Sequence, residues 1–343
     1  MKSINRWTPL NLGRGITLKN RVVVPAMASG TALPSGKATA ATCAHYERLA
    51  TSGAGLIIVE YSFVSMSGRS EENQLGAASD DQIEGLSEIA RIIKRSGAVA
   101  GLQLVHGGGK TSKELTGGVL LAPSAVPVPA KNATFEAPTP MSSHDIANWK
   151  ESFLAAAGRA LKAGFDLVEI HASHGYGFNQ WLSPITNLRT DDYGGSRENR
   201  TRLLREVISD IRKTYPELIV TARLPGQDFI EGGLSVSDMK SVSTDLLVAG
   251  LDLISVSSGL GGWRRPGGRE TQGYLVEEAR AIKAVLPCPV IGVGGIETGD
   301  YIDSVLSNGT ISLAAVGRAI LANPALWYKH NLGDFYDVSN TVS

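Results

Sequence analysis

The run Phe165-Asp166-Leu167-Val168-Glu169-Ile170-His171-Ala172-Ser173-His174-Gly175-Tyr176 decides how the rest of the chain is read. Its first half is a short apolar segment of strand character, and its second half sets two imidazoles and a phenol directly after the strand. Such a group can hold a carbonyl oxygen and deliver a proton beside it, and few structural roles require all three.

Working outward, short β-branched runs alternate with longer amphipathic ones. Strands are predicted at Val22–Pro25, Leu56–Val59, Val99–Leu104, Leu167–Ile170, Ile219–Arg223, Leu253–Val256, Val290–Gly294 and Ile311–Val316. Helix-period segments follow at Ala41–Thr51, Asp80–Ser96, Asp145–Ala163, Ser196–Thr214, Ser237–Ala249, Leu275–Val285, Asp300–Ser307 and from Arg318 onward. Continuous apolar strands separated by helices imply a parallel sheet covered on both faces. Eight repeats of the unit imply an α/β fold of the closed (β/α)8 TIM barrel type rather than an open sheet. Ser142, Ser143 and Asp145 read as N-cap residues, and Gly164 and Gly250 as the stops of their helices. No linker or shift in composition divides the chain, so residues 1–343 are expected to form a single domain with its core at about 6–327. Residues Gly107–Pro140 read as an irregular loop extending from strand three, and Gly259–Gly268 as a second mobile loop after strand six.

The hydrophobic fraction of 43% supplies a sizeable core, and 33 basic residues balance 33 acidic ones. A neutral surface gives no reason to expect nucleic acid or an anionic membrane as partner. No segment approaches the roughly 20 apolar residues of a membrane span, and Met1-Lys2-Ser3-Ile4-Asn5 opens no signal-peptide core. Two cysteines, Cys43 and Cys288, cannot alone build a disulfide framework or a zinc or iron–sulfur site. A cytoplasmic enzyme is expected.

In a barrel, chemistry is sought at the carboxyl ends of the strands. Gly294 and Gly295 close strand seven, and Gly317 and Arg318 close strand eight, the two loops where barrels recurrently hold phosphate. Tight turns beside a surface arginine are the alternative. Gln103 and Arg223 end strands three and five in apolar surroundings, where an unpaired charge costs several kcal/mol. Arg223 therefore needs an anion, either a core carboxylate such as Glu169 or a ligand that becomes anionic. A reduced flavin would suit it, with Gln103 at the pyrimidine edge. His171 and His174 could instead ligate a metal with Glu60 or Asp228, but no ligand spacing joins these residues, and no metal is expected. The strand ends carry no lysine for Schiff-base chemistry; Lys110, the nearest, lies in the long loop. Glu60 is the one strand-end carboxylate an isomerase reading could use.

With these residues in view, the sequence resembles the old yellow enzyme family of FMN-dependent ene-reductases. The likeness runs through Thr8-Pro9-Leu10, Leu18-Lys19-Asn20-Arg21-Val22, Pro25, Gly55-Leu56-Ile57-Ile58-Val59-Glu60, Gln103-Leu104-Val105-His106-Gly107-Gly108 and Ala122-Pro123-Ser124. Its most specific blocks are His171–Tyr176, Leu182-Ser183-Pro184, the run from Asn187 to Ser196, and Glu198-Asn199-Arg200. The resemblance implies FMN at the C-terminal mouth of the barrel. Pro25, Ala26 and Met27 would contact the isoalloxazine through their backbone, and Gln103 and Arg223 would bind its pyrimidine side. Gly294, Gly295, Gly317 and Arg318 would take the phosphate. His171 and His174 would bind the substrate carbonyl oxygen, and Tyr176 would donate the proton. It also implies a ping-pong reaction in which NADPH or NADH reduces FMN and an enone-type alkene is reduced in turn. An FMN-dependent dehydrogenase or demethylase on the same scaffold is the alternative.

The sequence departs from the family pattern in several places. Met27 stands where many ene-reductases carry Cys or Thr, and Met27-Ala28-Ser29-Gly30 is similar to the 2,4-dienoyl-CoA reductase branch. That branch's cysteine cluster is absent, so electrons are expected to come directly from the nicotinamide. Ser29 replaces a tyrosine used by one bacterial class, and Tyr61 is expected to take over part of its contact with substrate. Gly109 stands where that class often has arginine, and no arginine follows Arg318, which leaves homodimer and monomer both open.

Overall fold

The computed structural model describes residues 3–333. Eight parallel strands close into a barrel: β1 (Val22–Val24), β2 (Leu56–Phe63), β3 (Val99–Val105), β4 (Leu167–His171), β5 (Ile219–Pro225), β6 (Leu253–Ser257), β7 (Val290–Gly292) and β8 (Leu313–Ala315). Each pairs with its sequence neighbours, and β8 closes on β1. The outer ring contains α1 (Ala40–Ala50), α2 (Ile83–Arg95), α3 (Ser143–Lys162), α4 (Arg197–Thr214), α5 (Val236–Ala249), α6 (Val276–Lys283), α7 (Gly299–Ser307) and α8 (Pro324–Asn331). All eight predicted strands and the helices between them are present, with shifted ends.

The two-residue period of a strand explains the layering. Along β4, Val168 and Ile170 point outward into the core shared with the helices, while Leu167 points inward. Leu167 meets Ile219, Leu253, Ile58 and Ile291 in an apolar layer inside the barrel. Each fully buried Leu or Ile there contributes about 1.5–3 kcal/mol, and Leu167→Ala would remove more through the cavity it leaves. The same alternation forces Glu169 and then His171 to the barrel interior, so a polar layer and a mouth layer lie above the apolar one.

An antiparallel hairpin, Leu10–Gly13 with Ile16–Leu18, was not legible as strands but packs Leu12 and Leu18 onto the bottom of this interior core. Ser142 caps α3 by accepting from the Asp145 amide, and Asp145 reciprocates at the Ser142 amide; Ser143 is already helical. Gly250 ends α5 at φ 117°, a conformation that favours glycine. The extension from β3 is not wholly irregular, as the sequence suggested. It contains a helical turn at Lys113–Thr116, and Leu121–Ala122 pairs with Thr139–Pro140, because backbone groups this close to the body need partners. No helix among the described residues is long and apolar enough to cross a membrane.

Candidate active site at the C-terminal mouth

A cavity of about 430 Å³ opens at the carboxyl ends of the strands, lined by His174, Tyr176, Arg223, Ser257, Lys110 and Arg269 among others. The turn after β4 brings its three predicted groups together. The rings of His171 and His174 stand 5.1 Å apart at 86°, and the Tyr176 ring lies 4.8 Å from that of His171. Tyr61, from β2, places its ring 5.5 Å from Tyr176.

His174 has φ 58°, a left-handed conformation that a non-glycine residue adopts only when its surroundings enforce it. Its amide donates to the Ser258 carbonyl, and the following Gly175 amide donates to Asn179 Oδ1. Asp228 ties this region down: it accepts from Ser183 Oγ at 2.6 Å, Asn179 Nδ2 at 3.3 Å and the amides of Leu234 and Leu260 at 2.9 Å. One carboxylate thereby joins the loops after β4, β5 and β6.

Both imidazoles are held neutral. Burial, reinforced by the nearby Arg223 guanidinium, keeps His171 and His174 well below the ordinary histidine value. The Ser173 amide donates to His171 Nδ1 at 3.3 Å, which leaves Nε2–H as that ring's donor. Ser257 Oγ lies 2.6 Å from His174 Nε2 and accepts from Arg223 Nη2 at 3.4 Å. With the serine hydrogen directed at Nε2, Nδ1–H is the donor that His174 offers. Burial, helped by Glu71, pushes Tyr176 up to about 12, so the phenol keeps its proton at neutral pH. Tyr61 is raised further by burial, with Tyr176 and Glu71 beside it.

Below the mouth, Gln103 and Glu169 are register partners on β3 and β4, and Gln103 Nε2 donates to Glu169 Oε1 at 2.7 Å. Arg223 faces this pair without closing an ion pair. Its Nη1 makes a 3.4 Å contact with the Ala26 carbonyl, while its Nε and Glu169 Oε2 have no hydrogen-bond partner. Burial raises Glu169, and the guanidinium offsets only part of that effect. Glu169 is thus the counter-charge of Arg223 but leaves the guanidinium Nε unsatisfied, a state that costs about 1–3 kcal/mol per buried group.

The glycine loops converge as the sequence suggested. Gly294 has φ 128°, and a Cβ there would lie 2.7 Å from the Leu275 amide nitrogen. Gly295 stands within 3.4 Å of an Arg318 nitrogen by the same measure, and Gly317 faces Met27 Sδ and Pro25. Pro25, Met27, Gly317, Arg318 and Gly295 therefore form one side of the mouth.

Two of the alternative candidates lie elsewhere. Glu60 is buried, accepting from the Ser29 amide at 3.0 Å, Ser29 Oγ at 2.6 Å and Tyr46 Oη at 3.2 Å, and it ties the loop after β1 to β2. Asp228 is fully used by its four hydrogen bonds. Among the described residues no group of three His, Cys, Asp or Glu is placed to hold a metal. Two mouth residues were missed in the sequence. Ser257 closes β6, and Lys110 reaches the site from the long loop. The glycines Gly107–Gly109 before Lys110 were the available signal, since they permit close approach of one loop to another.

The model of the NADH:flavin oxidoreductase / NADH oxidase family matches residues 6–333. The chain is 36% identical over 319 residues to the NADPH dehydrogenase of Bacillus subtilis (strain 168), covering 93% of this chain and 91% of that one. Its fold is similar to the old yellow enzyme homologue from Zymomonas mobilis, with a TM-score of 0.83 and 26% identity over 99% of this chain and 94% of that one. It is also similar to histamine dehydrogenase from Rhizobium sp. 4-9, with a TM-score of 0.84 and 29% identity over 97% of this chain; the chain spans about half of that protein's length, 48%. With the match running through the hairpin, all eight strands and the loops of the mouth, the chain belongs to the NADH:flavin oxidoreductase / NADH oxidase family and is an FMN-dependent NAD(P)H oxidoreductase.

Proposed function

We propose that this enzyme reduces the C=C bond of α,β-unsaturated carbonyl compounds, with NADPH or NADH as electron donor, by a ping-pong mechanism. The observation that carries the reading is that the neutral His174 imidazole and the protonated Tyr176 phenol line one cavity with Arg223, while the His171 ring lies 5.1 Å from that of His174 and 4.8 Å from that of Tyr176.

The residues present fit FMN. Arg223 has an unsatisfied buried donor, Gln103 has its carboxamide oxygen to offer, and Gly295 lies beside the Arg318 guanidinium. Gln103 and Arg223 would hold the pyrimidine side, Gly294, Gly295, Gly317 and Arg318 the phosphate, and Pro25, Ala26 and Met27 the ring system. Met27 would lie against the flavin as a thioether, with no hydrogen to donate to it. When bound, FMN supplies the hydride transfer from nicotinamide to alkene.

The chain's own residues supply alignment and protons. As hydride reaches the β-carbon, negative charge builds on the substrate's carbonyl oxygen. His171 Nε2–H and His174 Nδ1–H stabilise that oxygen, each such donor being worth roughly 3 kcal/mol. Tyr176 then protonates the α-carbon, and Tyr61 packs beside it against the substrate.

The test measures the two half-reactions of Tyr176→Phe by stopped flow. Reoxidation by 2-cyclohexen-1-one is expected to slow at least ~10-fold more than reduction by NADPH, since an aligned acid is worth about 10²–10⁴-fold. Equal losses in both halves would overturn the role of Tyr176. A second reading, oxidation of an amine, is favoured by the similarity to histamine dehydrogenase. It predicts flavin reduction by an amine and no reoxidation by the enone.

A further inference from the structure

Lys110 is a cation inside the mouth that the proposed reaction has not yet used. It follows Gly107, Gly108 and Gly109 at the end of β3. The Gln180 carboxamide accepts from the Gly109 amide at 2.9 Å and donates to the carbonyls of Gly107 at 3.0 Å and Gly175 at 2.7 Å. This amide fastens the loop after β3 to the turn after β4. A Cβ at Gly108 would lie 2.4 Å from Gln180 Oε1, so the close approach requires glycine. The fastened loop turns the lysine into the site. Lys110 Nζ donates to the His174 carbonyl at 2.7 Å and stands 4.3 Å from the Tyr176 ring centroid. The other ionisable groups around it are Glu71, His171, His174 and Tyr176, with Arg223 and Arg269 lining the same cavity, and among the described residues no carboxylate is in ion-pair contact with it.

We infer that Lys110 is a positioning residue for proton delivery, holding the left-handed His174 turn by its carbonyl and stabilising the phenolate that Tyr176 becomes. The inference rests on the proposed function. In the step, the Tyr176 O–H bond breaks and the enolate's electron pair forms the new C–H bond at the α-carbon. The charge left on the phenolate is neutralised when solvent returns a proton. A cation over an aromatic face is attracted by about 0.5–2 kcal/mol while the ring is neutral, and more strongly once it is anionic.

The state of the lysine then sets the pH range of this half-reaction. Burial lowers Lys110 to about 8, and Glu71 opposes that shift. Below that value the ammonium is present and assists; as pH rises through it, the assistance is lost.

The experiment compares the FMN-loaded wild type with Lys110→Met and Lys110→Arg, following reoxidation by 2-cyclohexen-1-one over roughly pH 6 to 10. Lys110→Met is expected to slow reoxidation about 10-fold at neutral pH, the equivalent of about 1.4 kcal/mol, and to lose the decline near the lysine's value. Lys110→Arg should restore most of the rate and move the decline beyond the measured range. If Lys110→Met keeps the wild-type rate and pH profile while Tyr176→Phe is slow, the role of Lys110 is overturned and the proposed function stands. If neither variant slows reoxidation, both are overturned.

Discussion

His174 Nε2 and Ser257 Oγ, 2.6 Å apart, join the turn after β4 to the end of β6. Ser257 also accepts from Arg223, so the orientation of one imidazole proposed to bind substrate depends on the guanidinium proposed to hold the flavin. Ser257→Ala removes this support without touching either predicted ligand directly. We expect binding of a phenolic ligand such as 4-hydroxybenzaldehyde to weaken by about 3–10-fold, the worth of one hydrogen bond of about 0.5–1.5 kcal/mol. Titration of the holoenzyme at long wavelength measures it.

Arg223→Met is expected to cost about 3–5 kcal/mol of stability, because Glu169 would stay buried without its counter-charge. Arg223→Met with Glu169→Gln should recover part of that loss, while FMN retention stays poor in both. Denaturant titration of the apoprotein and the FMN content after gel filtration separate the two effects.

Gly294→Ala places a Cβ against the Leu275 amide at a backbone angle, φ 128°, that alanine resists. FMN affinity is expected to fall at least ~10-fold, since strain of about 1–3 kcal/mol would be relieved by moving the loop. Arg318→Ala should weaken FMN through its phosphate, leaving the affinity for riboflavin, which lacks that group, little changed. Fluorescence titration with both flavins checks these outcomes.

His106 gives the protein an acid limit. It is stacked on Trp149 at 3.9 Å, and burial pulls it down to about 3. The unfolded chain binds a proton near pH 6.5 where the native one does not, so stability is full above pH 6.5 and is lost as pH falls toward 3. Unfolding free energy should drop by about 2 kcal/mol for this residue between pH 6.5 and pH 5, at about 1.4 kcal/mol per unit. Urea titrations at pH 7 and pH 5 test it, and His106→Gln should reduce the difference.

The barrel was legible because its strands are apolar on both faces and its helices amphipathic, a pattern written locally in residues such as Leu167–Ile170 and Ile83–Arg95. The N-terminal hairpin was hidden because Leu10–Gly13 and Ile16–Leu18 are short and acquire strand character only by packing Leu12 and Leu18 under the barrel. At the mouth, the strand-end histidines, Tyr176 and the glycine loops were readable from position. The sequence could not separate Glu60 and Asp228 from the site, since their use is decided by partners such as Ser29, Tyr46 and Ser183, remote along the chain. Lys110 escaped for the same reason: its place depends on how Gln180 fastens one loop to another. The pairing of Arg223 was half resolved, with Glu169 present as counter-charge and a buried donor still free.

The most direct measurement is the visible spectrum of the purified protein during titration with 4-hydroxybenzaldehyde. A yellow protein that develops a long-wavelength charge-transfer band, lost in the His171→Ala/His174→Ala double variant, is the predicted result. A colourless protein that takes up no FMN, or a band that survives loss of both imidazoles, would contradict a flavin lying beneath His171 and His174.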